Sequence, residues 1–241
     1  MKKIAIVTGA SRGIGRAIAI LLSQHQFNVI GVYAESIEKA KKIEKEHKGI
    51  IMYQADIGKA DSIPKVIQFV IDKFHQIDVV VNNAGINLWG KVEAYPLENW
   101  NRMLNVNVTA KYLFAKCAIP FLKKSNNPNI INISSRAGMN EYVFSDFTTY
   151  CSNNAAITNF SLALAKELKP DGIRVNVVIP TVTNTDRFRR TFTKTEQEEV
   201  INAGKLGTPE EVAQTVLGII QDKKKTGEII IDKRVFIETL A

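Results

Sequence analysis

The residues best suited to chemistry come early, in Thr8-Gly9-Ala10-Ser11-Arg12-Gly13-Ile14-Gly15, between the apolar run Ile4–Val7 and the helical pattern Arg16-Ala17-Ile18-Ala19. Gly9 allows a tight turn, Gly13 lets backbone approach an anion, and Gly15 lets the following helix pack closely. The first N–H groups of that helix have no partner within it, so they are free to bind a pyrophosphate. The pattern predicts a dinucleotide site, against the plain alternative of a glycine turn with structural duty only. Arg12 sharpens it, since a guanidinium in this loop suits the 2′-phosphate of NADP, whereas an acid at the end of the second strand suits NAD. That end reads Val32-Tyr33-Ala34-Glu35-Ser36. Glu35 falls slightly late for a ribose-binding acid, which tips the expectation to NADP(H).

Elements must hold this turn in place. Short β-branched runs at 4–8, 28–33, 50–54, 78–82, 129–133, 173–179 and 228–231 predict seven strands. Between them Ile14–Ser23, Ile37–His47, Ile63–Phe74, Trp100–Leu122, Thr148–Leu168 and Glu210–Ile220 carry apolar residues at three- and four-residue spacing and predict helices. Strand–helix alternation gives an α/β fold, a parallel sheet with helices on both faces. Pro170-Asp171-Gly172 marks a helix stop, and Thr208-Pro209-Glu210-Glu211 a helix start. Residues 181–207 are polar with little apolar period and read either as a plain surface loop or as a segment closing over a pocket. No linker long enough to separate two domains is present, so the 241 residues read as one domain.

Composition narrows the function. Apolar residues are 45% and charged residues 23%, ordinary for a globular domain. Lysine and arginine number 32 against 24 acids, a net charge of +8. The charges are interleaved, as in Glu38-Lys39-Ala40-Lys41-Lys42-Ile43-Glu44-Lys45-Glu46, which describes a solvated helix face and argues against nucleic-acid binding. No apolar run reaches the roughly 18–20 residues of a membrane span. Met1-Lys2-Lys3 followed by Ile4–Val7 mimics a signal peptide, but the run breaks at Thr8-Gly9 and reads as a strand. Cys117 and Cys151 form neither a C-x-x-C pair nor a disulfide framework, which predicts a reducing, cytoplasmic setting. His25, His47 and His75 stand alone, so no metal site is expected.

The spacing of Thr8, Gly9, Gly13 and Gly15 resembles the TGxxxGxG of the short-chain dehydrogenase/reductase family. Asn82-Asn83-Ala84-Gly85 is similar to its NNAG, Asn107 to its helix asparagine, and Ile133-Ser134-Ser135 to its serine strand, while Tyr150 stands where its tyrosine is expected. The likeness covers essentially the whole chain. Within the family the string TGASRGIGRAIA and the late Gly227-Glu228 are most similar to the 3-oxoacyl-[acyl-carrier-protein] reductases.

The resemblance implies a doubly wound, seven-stranded Rossmann sheet, an NADP(H) site at the carboxyl ends of its strands, and a homo-oligomer, dimer or tetramer. It implies that Thr8, Gly9, Ser11, Arg12, Gly13, Ile14, Gly15, Asp56, Ile57, Asn83, Ala84, Gly85, Tyr150, Pro180, Thr181, Val182 and Thr185 hold the cofactor, with Asp56 capping the adenine edge. The substrate would be a ketone, small or bound to acyl carrier protein. Reducing it leaves negative charge on oxygen, so donors must meet that atom. By resemblance Ser135 orients the carbonyl, with Ser134 as its stand-in, Tyr150 delivers the proton, and Asn107 holds a water of a proton relay.

The sequence departs from the family at several points. Four residues after its tyrosine the family has lysine, on the same helix face; here the position is Asn154. A carboxamide replaces a hydrogen bond to the ribose but not the charge, which at an effective dielectric near 20 is worth roughly 3–4 kcal/mol. Lys111 and Lys116, on the neighbouring helix segment, are the cations at hand. Thr181 follows Pro180 where the family commonly has glycine, Asp232-Lys233-Arg234 replaces a glycine-bearing terminus, and the Ser135–Tyr150 interval is slightly long. These departures leave two readings open: a working NADPH-dependent reductase, or an impaired NADP(H)-binding chain that serves as partner subunit or redox sensor.

Overall fold

Short runs rich in isoleucine and valine have too few residues for a buried helix but enough for a strand covered on both faces. In the computed structural model, which describes residues 2–231, seven such runs pair: β1 (Lys3–Thr8), β2 (Phe27–Tyr33), β3 (Ile50–Gln54), β4 (Val79–Asn82), β5 (Asn129–Ile133), β6 (Arg174–Ile179) and β7 (Ile229–Ile231). They form one parallel sheet in the order β3-β2-β1-β4-β5-β6-β7. This is the expected doubly wound sheet. Asp232-Lys233-Arg234 lies outside the described residues.

Alternate residues of the central strands feed two cores. Ile6, Ile30 and Ile130 join α3 (Ser62–Phe74), α5 (Ala110–Leu122) and α6 (Thr148–Glu167) on one face. Val7, Val29 and Ile131 join α1 (Gly13–Gln24), α2 (Ile37–Glu46) and α9 (Pro209–Gln221) on the other. Each fully buried isoleucine contributes roughly 1.5–3 kcal/mol, so β1 is fixed in register from both sides. Its exit at Thr8 and that of β4 at Asn82 are adjacent, and there the strand order reverses. A crevice at the carboxyl ends of such strands is where parallel sheets bind ligands. Among the described residues no helix is long and apolar enough to cross a membrane.

Two sequence expectations need correction. The helix expected over Trp100–Leu122 is α4 (Leu97–Leu104), then a wide π turn over Asn105–Thr109, then α5. The apolar period runs through the junction, so the inserted residue leaves no mark in the pattern; such wide turns are frequent at functional sites. The stretch 181–207 is not plain loop but carries α7 (Asp186–Thr191) and α8 (Lys194–Asn202). Thr185 caps α7 by accepting from the Phe188 N–H, and Thr193 with Glu196 forms a capping box on α8.

Candidate active site

The glycine turn is built around contacts that admit no side chain. Gly9 and Gly13 take φ of +70° and +53°. A Cβ on Gly15 would lie 2.3 Å from the Gly9 carbonyl oxygen and 2.5 Å from Asn83 Nδ2. The Thr8 hydroxyl accepts from the Asn83 and Ala84 N–H groups at 3.0 and 2.9 Å, and Asn83 Nδ2 donates back to the Thr8 carbonyl at 2.9 Å. The turn and the loop after β4 are thereby one unit. Arg12 at the N-cap of α1 makes no side-chain cap, and the first turn holds no acid. The N–H groups there stay available to an anion, and the cradle that a Cβ would fill fits a diphosphate. Gly15→Ala should therefore lower nicotinamide-nucleotide affinity at least tenfold and the melting temperature by several degrees, read by nucleotide fluorescence titration and calorimetry. Unchanged affinity would detach this turn from the nucleotide.

The remaining expected cofactor positions differ in exposure and in the contacts they make. Ser11 and Ile57 are buried, Ile14 and Pro180 half-buried, Arg12 exposed. Thr185 lies over the turn, its Cγ2 in position to touch any Cβ on Gly13, at 3.2 Å. Next to it Asp186 pairs with Lys39 at 3.2 Å. The Lys39 hydrogen bond and charge, with Arg189 and Arg12 adding, hold the Asp186 carboxyl below its usual range. Asp56 is committed to Arg102 at 2.9 Å and to the Gly58 N–H at 3.0 Å. Burial would raise its carboxyl, but these bonds and the charges of Arg102 and Lys59 outweigh it and hold it low. Thr181 packs its side chain on the 205–207 segment: its hydroxyl donates to the Lys205 carbonyl, and its methyl would lie 2.6 Å from a Cβ on Gly207. Gly207, whose N–H donates to the Val182 carbonyl, thus makes room for the threonine.

The two serines at the end of β5 point differently. Ser134 is buried, its hydroxyl 3.0 Å from Thr158 Oγ1 and donating to the Asn154 carbonyl at 3.2 Å. Ser135 is half-buried and caps the short turn Arg136–Gly138 by accepting from the Ala137 N–H at 3.3 Å, which leaves its own proton free to donate. That turn lies directly on α6, because a Cβ on Gly138 would be 2.6 Å from the Asn154 carbonyl carbon. Tyr150 stands in the first turn of α6, half-buried, with Phe147 at 6.5 Å and 72° to its ring in an edge-on arrangement. Asn154 is buried and folded onto its own helix, its Nδ2 donating to the Tyr150 carbonyl at 2.8 Å. Asn107, on the π turn, spends its carboxamide on the Ile86 backbone: Oδ1 accepts from the N–H at 2.8 Å and Nδ2 donates to the carbonyl at 2.9 Å. It pins the chain that follows Gly85.

Of the two cations on α5, Lys116 is exposed, but Lys111 is 5% exposed and its Nζ donates to the Ile133 carbonyl at 2.5 Å. Burial, then the charge of Arg187, lower its pKa to about 7. Arg187 itself reaches across from α7 to donate to the Gly85 carbonyl. Lys39, Arg102 and Arg187 were not readable as site residues, since each sits among other surface charges in sequence and meets its partner only through the fold.

Comparison with known proteins bears on the family and the fold. The family model for short chain dehydrogenases matches residues 3–196. The 3-oxoacyl-[acyl-carrier-protein] reductase FabG of Thermotoga maritima is 32% identical over 236 residues, 95% of each chain. The NAD-dependent glycerol dehydrogenase of Listeria innocua is 31% identical, over 95% of this chain and 92% of its own. Among solved structures, a short chain dehydrogenase from Burkholderia cenocepacia in complex with NADP superposes with a TM-score of 0.88 at 28% identity, covering 95% of each chain.

Proposed function

Since the chain belongs to the short-chain dehydrogenase/reductase family and is an oxidoreductase of that fold, we propose that it is a single-domain, NADPH-dependent ketone reductase whose substrate is a 3-oxoacyl thioester on acyl carrier protein. The observation that carries this reading is that the short turn capped by Ser135, whose own proton is free, packs on α6 at Asn154, one helical turn beyond Tyr150. Similarity to 3-oxoacyl-[acyl-carrier-protein] reductases supports the substrate. Arg12, exposed beside the glycine turn, supports the 2′-phosphate, with Lys39 on α2 as a second cation near it. Binding would involve the turn from Thr8 to Gly15, Asp56 and Ile57, the Asn83-Ala84-Gly85 loop, and Pro180 to Thr185. We place the protein in the cytoplasm as a homo-oligomer, by the same likeness.

When bound, the cofactor supplies a hydride to the carbonyl carbon. The chain's own residues serve the oxygen. The Ser135 hydroxyl donates to it, and the Tyr150 phenol gives up its proton as charge develops there, so that ketone, hydride and proton balance to an alcohol. Asn107 holds the loop beyond Gly85 in place and thereby the wall of the crevice.

The test is NADPH oxidation with a short 3-oxoacyl thioester, followed at 340 nm alongside Arg12→Ala. Turnover with NADPH, and a loss of about tenfold or more in NADPH over NADH preference in the variant, would bear the reading out. Nucleotide binding without turnover would favour the impaired partner or sensor, and equal use of NADH by both chains would remove the 2′-phosphate from Arg12.

A further inference from the structure

Position 154 carries no cation, yet a buried lysine bonds to the neighbouring residue of the chain: Lys111 meets Ile133 where Asn154 meets Ser134. β4 ends at Asn82, which pairs with Asn132. The Asn129 N–H bonds to Asp78 on the β4 side and the Ser134 N–H to Val178 on the β6 side, so the alternation of a strand turns the Ile133 carbonyl toward β4. That carbonyl projects past the last paired residue, beside the Asn83-Ala84-Gly85 loop, and Lys111 Nζ is bonded to it. At the very next residue Ser134 meets Asn154. Helices α5 and α6 thus bring the Lys111 amine and Asn154 to consecutive residues, the last of β5 and the one that follows it.

Building this arrangement is costly. A buried lysine that serves only packing would be replaced without loss by an apolar side chain. Among the described residues no carboxylate lies within ion-pair distance of Lys111, and the charge acting on it is Arg187, of the same sign. Asn107, four residues earlier, is buried too and holds the loop wall, so this stretch of helix faces the crevice twice.

We propose that Lys111 takes over the duty of the lysine missing at position 154: it is the cation of the site, delivered from α5 to the carboxyl end of β5. It acts by charge, favouring the anion that forms as Tyr150 gives up its proton and adding positive potential beside the anionic nucleotide. The inference rests on the nicotinamide-nucleotide reading above. With a pKa near 7 the amine gains or loses its proton within the working range of the enzyme.

The experiment compares the unaltered chain, Lys111→Met, and Lys111→Met combined with Asn154→Lys. NADPH affinity is read by fluorescence from pH 6 to 9, and thioester reduction at each pH. In the unaltered chain affinity should fall several-fold more across this range than in Lys111→Met, because only the former loses a charge; titration of the nucleotide's own phosphate is common to both. Turnover of Lys111→Met should drop by about 100-fold, and the relocated lysine should restore at least tenfold, which a merely structural lysine would not allow. Identical pH profiles of NADPH affinity in the first two chains would overturn the inference even if both reduce ketones, and so would absence of NADPH binding altogether. A Lys111-dependent profile in a chain that reduces no ketone would keep the inference and discard the substrate. If the double variant does not fold, the binding profiles decide alone.

Discussion

Tyr150→Phe should remove ketone reduction while leaving NADPH binding and folding in place. The substitution deletes one oxygen and keeps the ring, so the edge-on contact with Phe147 persists. Among the site's hydroxyls only two can present a proton to a ketone. Ser134 cannot, since its hydroxyl is spent on Asn154 and Thr158 behind the strand. Ser135 can orient the oxygen but is an alcohol, a far weaker acid than a phenol. Loss of a positioned general acid costs typically 10²- to 10⁴-fold, and kcat with a 3-oxoacyl thioester should fall by that much with KM nearly unchanged. Ser135→Ala, which removes a donor at the oxyanion, should cost about 10²- to 10³-fold. Ser134→Ala should instead shift the melting temperature and leave kcat within a few-fold. Retention of more than a tenth of the activity in Tyr150→Phe would take the proton-donor role away from this residue.

How much of this was legible without coordinates depends on whether the signal is local. The strand, turn and helix around Gly9, Gly13 and Gly15 are local, because the residue types that the backbone demands are contiguous, and so the crevice was placed from sequence. The seven strands were found for the same reason, with ends within a residue or two. The π turn at Asn105–Thr109 was missed since one extra residue in a ladder barely disturbs apolar spacing. α8 was missed although Thr193-Lys194-Thr195-Glu196 carries a capping-box signature; its face has no buried residue, so period alone did not reveal it. The ion pair of Asp56 with Arg102 spans 46 positions and the shelter of Thr181 by Gly207 spans 26, and neither leaves a pattern along the chain. Asn154 shows the opposite limit. Sequence revealed that a lysine was missing, but whether Lys111 or Lys116 was buried depended on which face of α5 meets the sheet, and a helix with apolar residues on most sides does not disclose that.

The largest effect on stability should come from the same lysine. Protonated Lys111 is held in a place that resists charge, with a folded pKa of about 7 against an ordinary 10.5. Below pH 7 the amine is protonated in both the folded and unfolded chain, and folding bears the whole cost of the buried charge. Between pH 7 and 10.5 the unfolded chain still binds the proton that the folded chain has released, so stability rises with pH across that window. Above it both states are neutral and the cost is gone. A shift of this size corresponds to roughly 3–5 kcal/mol. Lys111→Met, close in length and apolar, should therefore be more stable than the unaltered chain at pH 6, by several kcal/mol. For a domain of this size that is about 6–15 °C in melting temperature. The advantage should shrink toward pH 10 and end slightly negative, because the Ile133 carbonyl loses its donor, a matter of about 1 kcal/mol. Groups such as Asp56 and Asp186, whose depressed pKa values make stability fall in acid, are common to both chains and cancel in the difference. A lysine retained for structure would give the reverse, a variant less stable at every pH, and equal melting temperatures at pH 6 would show that the buried amine carries no cost. Gain of stability together with loss of turnover in one substitution is the trade expected where a costly buried group is kept for function, and calorimetry at pH 6, 8 and 10 on the two chains reads the stability side directly.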